Sequence, residues 1–101
     1  MNVRFGEFTL DTESRQLRQG DLERHLSPKG FELLRLLIES RPRALSKAEL
    51  HERLWPATFV SEATLSSLVA EVREALGEQA RGGRFVRTVH RFGYAFKGDA
   101  T

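Results

Sequence analysis

The amino-acid sequence predicts an α+β fold: an N-terminal four-stranded antiparallel sheet, three helices and a C-terminal β-hairpin. Three observations carry this. Up to residue 26, short segments alternate apolar and polar residues between glycine-containing turns. Between residues 27 and 77, three serines each open an apolar stripe of helical period. After residue 84, two strand-like segments flank a short turn within a run of arginines.

The sheet comes first. Val3-Arg4-Phe5 and Phe8-Thr9-Leu10 alternate around Gly6-Glu7, and Gln16-Leu17-Arg18 and Leu22 to Leu26 alternate around Gln19-Gly20-Asp21. Strands this short bury one face and need a helix to cover it. The cover follows at Ser27-Pro28, a serine N-cap with proline at the first helical position. Phe31, Leu33, Leu34, Leu36, Leu37 and Ile38 then crowd a helix expected to reach about Ser40, dense enough to be central. Gly30, in its first turn, reads as a local weakness of up to about 1 kcal/mol. Arg41-Pro42-Arg43 ends the helix.

Ala44-Leu45 reads as a short strand. Ser46-Lys47-Ala48-Glu49 is a capping box opening a second helix through Leu50, Leu54 and Trp55, and Pro56 stops it. After a loop over Ala57 to Val60, Ser61 caps a third helix with Leu65, Leu68, Val69, Val72 and Leu76 on one face and Gly77 just beyond its end. Its opposite face carries Glu62, Ala63, Ser66, Ser67, Ala70, Glu71, Arg73 and Glu74. Gln79 to Gly83 is expected to be a flexible loop. Phe85 to Val89 reads as a strand, Arg91-Phe92-Gly93 as a turn and Tyr94 to Lys97 as the returning strand.

With 101 residues the chain is expected to be one domain: sheet over 3–26, helical core over 28–77 and hairpin over 84–97. The absence of cysteine excludes a disulfide scaffold and a thiolate zinc site. No apolar run approaches the roughly 18 residues of a membrane span, and the N-terminus does not read as a secretory signal, so the expected compartment is the cytoplasm. His25, His51 and His90 share no ligand spacing, and no nucleophile elbow or phosphate loop is present. The expectation is therefore no metal, no cofactor and no enzyme activity. Trp55 and the set Phe5, Phe8, Phe31, Phe85 and Phe96 read as core, whereas Phe59 falls in a loop where it can serve a protein contact.

Charge is unevenly spread. Residues 81–97 hold Arg81, Arg84, Arg87, Arg91 and Lys97 and no acid, a local +5, while the rest of the chain carries −3. Such asymmetry points to an acidic partner, first of all a phosphate backbone.

Helix, short strand, helix, loop, helix and an arginine-bearing hairpin in that order make a winged helix-turn-helix. In helix-turn-helix folds the second helix of the pair enters the major groove. On Leu26 to Leu34, on Ser46-Lys47-Ala48-Glu49-Leu50 running to Leu54-Trp55, on Val72-Arg73-x-x-Leu76 and on Thr88-Val89-His90-Arg91-Phe92-Gly93-Tyr94, the chain resembles the DNA-binding effector domains of OmpR/PhoB-type response regulators. The resemblance runs from Phe5 to Phe96 and includes the N-terminal sheet.

The resemblance implies sequence-specific double-stranded DNA binding in transcriptional regulation, with the helix over 62–76 in the major groove and the wing over 84–97 on the backbone or minor groove. Thr64, Arg73, Thr88 and Arg91 would clamp phosphates; Ser66, Ser67 and Ala70 would face bases; Arg87, His90 and Tyr94 would complete the wing contact. It also implies pairing head to tail on direct repeats, from a monomer in solution, and RNA polymerase contact through the loop over 56–61. The family's usual basic residues are replaced at Ala63, Ala70 and Glu71, leaving Arg73 as the one cation of the recognition helix. Reading by hydroxyls and thymine methyls, reliance on wing and DNA shape, and weak binding until dimerised all remain open. The cation-poor helix equally motivates a protein-binding winged-helix module. A response regulator carries a receiver domain ahead of its effector domain; with Met1 next to the first strand, the expectation is a stand-alone domain or one followed by further sequence after Thr101.

Overall fold

In a computed structural model of the chain, residues 1–78 and 84–101 are described. The expected loop over 79–83, with Arg81, lies outside them. The N-terminal sheet comprises β1 (Asn2–Phe5), β2 (Phe8–Asp11), β3 (Gln16–Gln19) and β4 (Leu22–Arg24), antiparallel and in sequence order. Val3 pairs with Leu10, Phe5 with Phe8 and Leu10 with Leu17, so period-two alternation puts every one of these side chains on the buried face. Gly6 and Gly20 turn the first and third of the three hairpins with φ of +57° and +61°. The outer edge of β1 is paired too: the Arg4 and Thr101 backbones exchange hydrogen bonds of 2.7 and 3.0 Å.

Helix α1 (Pro28–Ser40) is the centre of the molecule and packs on the helices over Lys47–Leu54 and Glu62–Ala75 and on the strand over Gly93–Phe96. Its N-cap is as expected, with Ser27 Oγ accepting the Gly30 N–H at 3.1 Å. Strand β5 (Leu45–Ser46) leads into α2 (Lys47–Leu54), whose N-cap Ser46 Oγ accepts the Glu49 N–H at 3.0 Å. The Glu49 carboxylate lies 3.5 Å from Arg43 rather than closing the capping box. Lys29 Nζ caps the other end of α2 at the Leu54 carbonyl. Helix α3 (Glu62–Ala75) starts at Ser61, whose hydroxyl sits 3.2 Å from that of Thr64 and caps no backbone N–H. Gly77 follows it at φ +71°.

The hairpin is β6 (Val86–Val89) and β7 (Gly93–Phe96), and it is part of a three-stranded sheet in the order β5-β7-β6. Here the turn differs from expectation. His90, Arg91 and Phe92 make it, with Arg91 at φ +59°, and Gly93 is already the first residue of β7. Gly93 is needed for a different reason. A Cβ there would lie 1.9 Å from the Leu45 carbonyl oxygen, so only glycine lets β5 pass against β7.

The two sheets share one core. Phe5 packs edge-on against Phe85 at 5.0 Å and against Phe96 at 5.2 Å between ring centroids. Phe31 and the α1 leucines continue that core toward Leu65, Leu68, Val69 and Val72 of α3. Trp55 is half-buried against the core, as read from the sequence.

Candidate nucleic-acid interface

The period of α3 divides it in two. Leu65, Leu68, Val69 and Val72 are buried, and Ala63, Ser66, Ser67 and Ala70 are exposed. The middle of the outward face is therefore small, neutral and hydroxyl-bearing, between the exposed acids Glu62 and Glu74 at its two ends, and the helix has the diameter to enter a major groove. Thr64 is half-buried at its N-terminal end.

Two residues assigned from the sequence to the open face of α3 are instead struts. Arg73 is 4% exposed. Its Nε and Nη2 donate to the Val86 carbonyl at 3.2 and 3.0 Å, and Nη2 also donates to Thr88 Oγ1 at 3.0 Å. The guanidinium carbon lies 5.8 Å from the Tyr94 ring centroid. The expected outward phosphate clamp is thus corrected to a pin between α3 and β6. The arginine at the end of α3 reaches the wing because β6 runs alongside that end, a long-range fact that helical spacing cannot carry. Glu71 is the second strut. Its carboxylate accepts the Ser27 N–H at 2.7 Å and the Ser27 hydroxyl at 3.0 Å, tying α3 to the start of α1. This also explains Gly30, where a Cβ would stand 2.6 Å from Glu71 Oε2. What reads as a weak spot in a helix is the space that the Ser27–Glu71 bridge occupies.

The wing sorts in the same way. Arg87, Thr88, His90 and Arg91 are exposed, with the Thr88 hydroxyl held by Arg73. Tyr94, expected at the DNA backbone, is 7% exposed and forms part of the core beneath the wing. It lies in β7 opposite both Thr88 and Leu45, and this central position in its sheet covers the ring. The wing turn is fastened to the helix-turn-helix by the Lys47 N–H, which donates to the Phe92 carbonyl at 2.9 Å. Recognition helix, first helix of the pair and wing are therefore one connected unit.

Residues that the sequence reading passed over complete the site. Lys47 Nζ lies 2.8 Å from Glu62 Oε1, joining the first residues of α2 and α3. Their hydrogen bond raises the Lys47 ammonium above its ordinary range and lowers the Glu62 carboxyl below its own. The Glu78 carboxylate accepts the Phe85 N–H at 3.0 Å and the Val86 N–H at 3.3 Å, anchoring the start of the wing. Phe59 in the α2–α3 loop is 99% exposed. No group of three or more His, Asp or Glu side chains suited to a metal occurs among the described residues. No helix among them is long and apolar enough to cross a membrane.

Residues 21–96 match the family described as "Transcriptional regulatory protein, C terminal". The chain belongs to that family. Among relatives of this effector domain, the response regulator MprA of Mycobacterium tuberculosis is 32% identical over 101 residues, covering 96% of this chain and 42% of MprA. The transcriptional regulatory protein TrcR of the same organism is 30% identical over 96 residues, covering 94% of this chain and 37% of TrcR. The domain thus spans about two fifths of the length of these curated relatives. The response regulator DrrB of Thermotoga maritima, an OmpR/PhoB homologue, superposes with a TM-score of 0.88 at 25% identity, covering 96% of this chain and 44% of DrrB. The Klebsiella pneumoniae RstA DNA-binding domain, solved in complex with the RstA box, shares the fold with a TM-score of 0.83 at 24% identity, covering 94% of this chain and 95% of that domain. The effector domain is of OmpR/PhoB type, a winged helix-turn-helix preceded by a four-stranded sheet.

Proposed function

We propose that this effector domain binds double-stranded DNA sequence-specifically in transcriptional regulation, with α3 in the major groove and the wing on the adjacent backbone or minor groove. The observation that carries the reading is the uncovered face of α3, Ala63, Ser66, Ser67 and Ala70, on a helix pinned through Arg73 to a wing that exposes Arg87, His90 and Arg91. The division of labour follows from charge. Arg87, Arg91 and the Thr64 and Thr88 hydroxyls hold phosphates and set register, while Ser66, Ser67 and Ala70 meet base edges. Arg73 and Tyr94 support that surface from beneath. Binding through DNA ties the domain to the cytoplasm, as a monomer that pairs head to tail on direct repeats.

Selection of bound sequences from a random duplex pool tests this at once. Enrichment of a defined motif is expected, with two spaced copies if domains pair. The absence of binding to any duplex at low salt would favour a protein-binding module instead.

Phe59 supports a second, compatible contact. A phenylalanine 99% exposed in the 56–61 loop is an apolar anchor with nothing over it. RNA polymerase is the partner we assign to it. Phe59→Ala is expected to leave DNA affinity unchanged and to lower transcription from a responsive promoter; loss of both together would contradict the assignment.

A further inference from the structure

The recognition helix spends its one arginine on the wing, which leaves the interface short of cations where the helix enters the groove. One cation from outside the helix reaches its start, Lys47. It belongs to α2, but its Nζ reaches the first residue of α3, and its backbone N–H holds the wing turn at Phe92. Lys47 thus stands where α2, α3 and the wing meet.

We propose that Lys47 is a DNA phosphate ligand kept occupied in the free protein by Glu62, and that a phosphate displaces the carboxylate on binding. This rests on the reading of α3 as the helix that enters DNA. Four observations support it. The pair is direct, at 2.8 Å, and both side chains are largely in water, 41% and 67% exposed, so exchanging one anion for another costs little. The pair lines an open groove of about 370 Å³ together with Thr58 and Phe59, which leaves room for an anion to approach. The raised ammonium and lowered carboxyl mark two fully charged partners at neutral pH. Finally, the first helix of a helix-turn-helix crosses the DNA backbone, and Lys47 is the first residue of that helix. Glu62 then acts as a built-in brake: it neutralises Lys47 until a stronger anion replaces it.

The test is a two-by-two set, wild type, Lys47→Ala, Glu62→Gln and the double variant, titrated by anisotropy against a labelled random-sequence duplex over a range of salt. Lys47→Ala is expected to weaken binding roughly fivefold and to flatten the salt slope by about one. Glu62→Gln is expected to tighten binding roughly threefold and to lose that gain in the Lys47→Ala background, because the gain comes from freeing Lys47. Three results overturn the proposal: no effect of Lys47→Ala on affinity or slope, a Glu62→Gln gain of equal size in both backgrounds, which is plain repulsion, or a weaker Glu62→Gln complex, which makes Glu62 a support for Lys47. Lys47→Gln and a thermal melt of each variant separate lost contact from lost fold. Wild-type protein that binds no duplex overturns this proposal and the DNA reading together; wild-type binding weakened by Arg91→Ala with flat Lys47 arms overturns this proposal alone.

Discussion

Arg73 donates two hydrogen bonds to the Val86 carbonyl oxygen, through Nε at 3.2 Å and Nη2 at 3.0 Å, and so fastens the end of the recognition helix to the first strand of the wing. A fork of donors makes this contact; a single ammonium cannot reproduce it. Arg73→Lys and Arg73→Gln are therefore both expected to destabilise the domain, by about 2 kcal/mol in urea unfolding, because a buried carbonyl and the Thr88 hydroxyl lose their partner. A phosphate ligand behaves otherwise: lysine would largely restore binding, and stability would barely change.

Gly93 and Gly20 separate two uses of glycine. Gly93→Ala drives a Cβ to 1.9 Å from the Leu45 carbonyl oxygen, backbone against backbone, and is expected to cost more than about 3 kcal/mol or to prevent folding. Gly20→Ala meets nothing within 4 Å and carries only the strain of its φ of +61°, about 1 kcal/mol. Thermal melts of the two variants check the ranking, and an equal loss would mean that β5 does not pass where described.

The Ser27–Glu71 bridge predicts a reversal of helix propensity. Gly30→Ala should stabilise an ordinary helix by up to about 1 kcal/mol. Here it is expected to destabilise, since the new methyl displaces a carboxylate that holds two hydrogen bonds on Ser27. Glu71→Ala is expected to cost about 1–2 kcal/mol by itself and to make Gly30→Ala harmless in its background, which a double-mutant cycle measures.

Glu32 gives a pH dependence of known sign. Hydrogen bonds from Arg35, and then from Arg15, hold its carboxyl below the ordinary value of 4.5. A depressed folded-state value means that the stabilisation is present above pH 4.5 and is lost as pH falls through the folded value. Glu32→Gln is expected to cost about 0.5 kcal/mol at neutral pH, modest because the pair is partly exposed, and the gap from wild type should close in acid. A gap that persists undiminished in acid would mean that the side chain acts by packing.

The local signals were legible in the sequence, and the long-range ones were not. Ser27 and Ser46 cap the helices they were expected to cap, and the strand alternation from Val3 to Leu17 buries the expected side chains, because capping and period depend on neighbours a few residues away. The exposed set Ser66, Ser67, Ala70, Arg87, His90 and Arg91 follows from the same periods and from the resemblance to OmpR/PhoB-type domains. Arg73, Glu71 and Tyr94 read from the sequence as surface groups, but Arg73 and Tyr94 are buried and Glu71 is half-buried against Ser27. Each is decided by a partner far along the chain, Val86, Ser27 and Leu45, and a helical wheel or a strand pattern cannot show which polar residue meets one. Gly93 reads from the sequence as a turn residue, and what requires it is instead the passing backbone of β5.

Net charge of +2 conceals where the grip lies, and one measurement asks directly. If the wing holds the phosphates and α3 reads bases, wild-type affinity for a selected duplex should fall with salt at a log–log slope of about −3 to −5. Arg91→Ala should then flatten that slope by about one and weaken specific and random duplexes by the same factor. A slope and affinity unchanged by Arg91→Ala, or a loss confined to the selected sequence, would contradict the account.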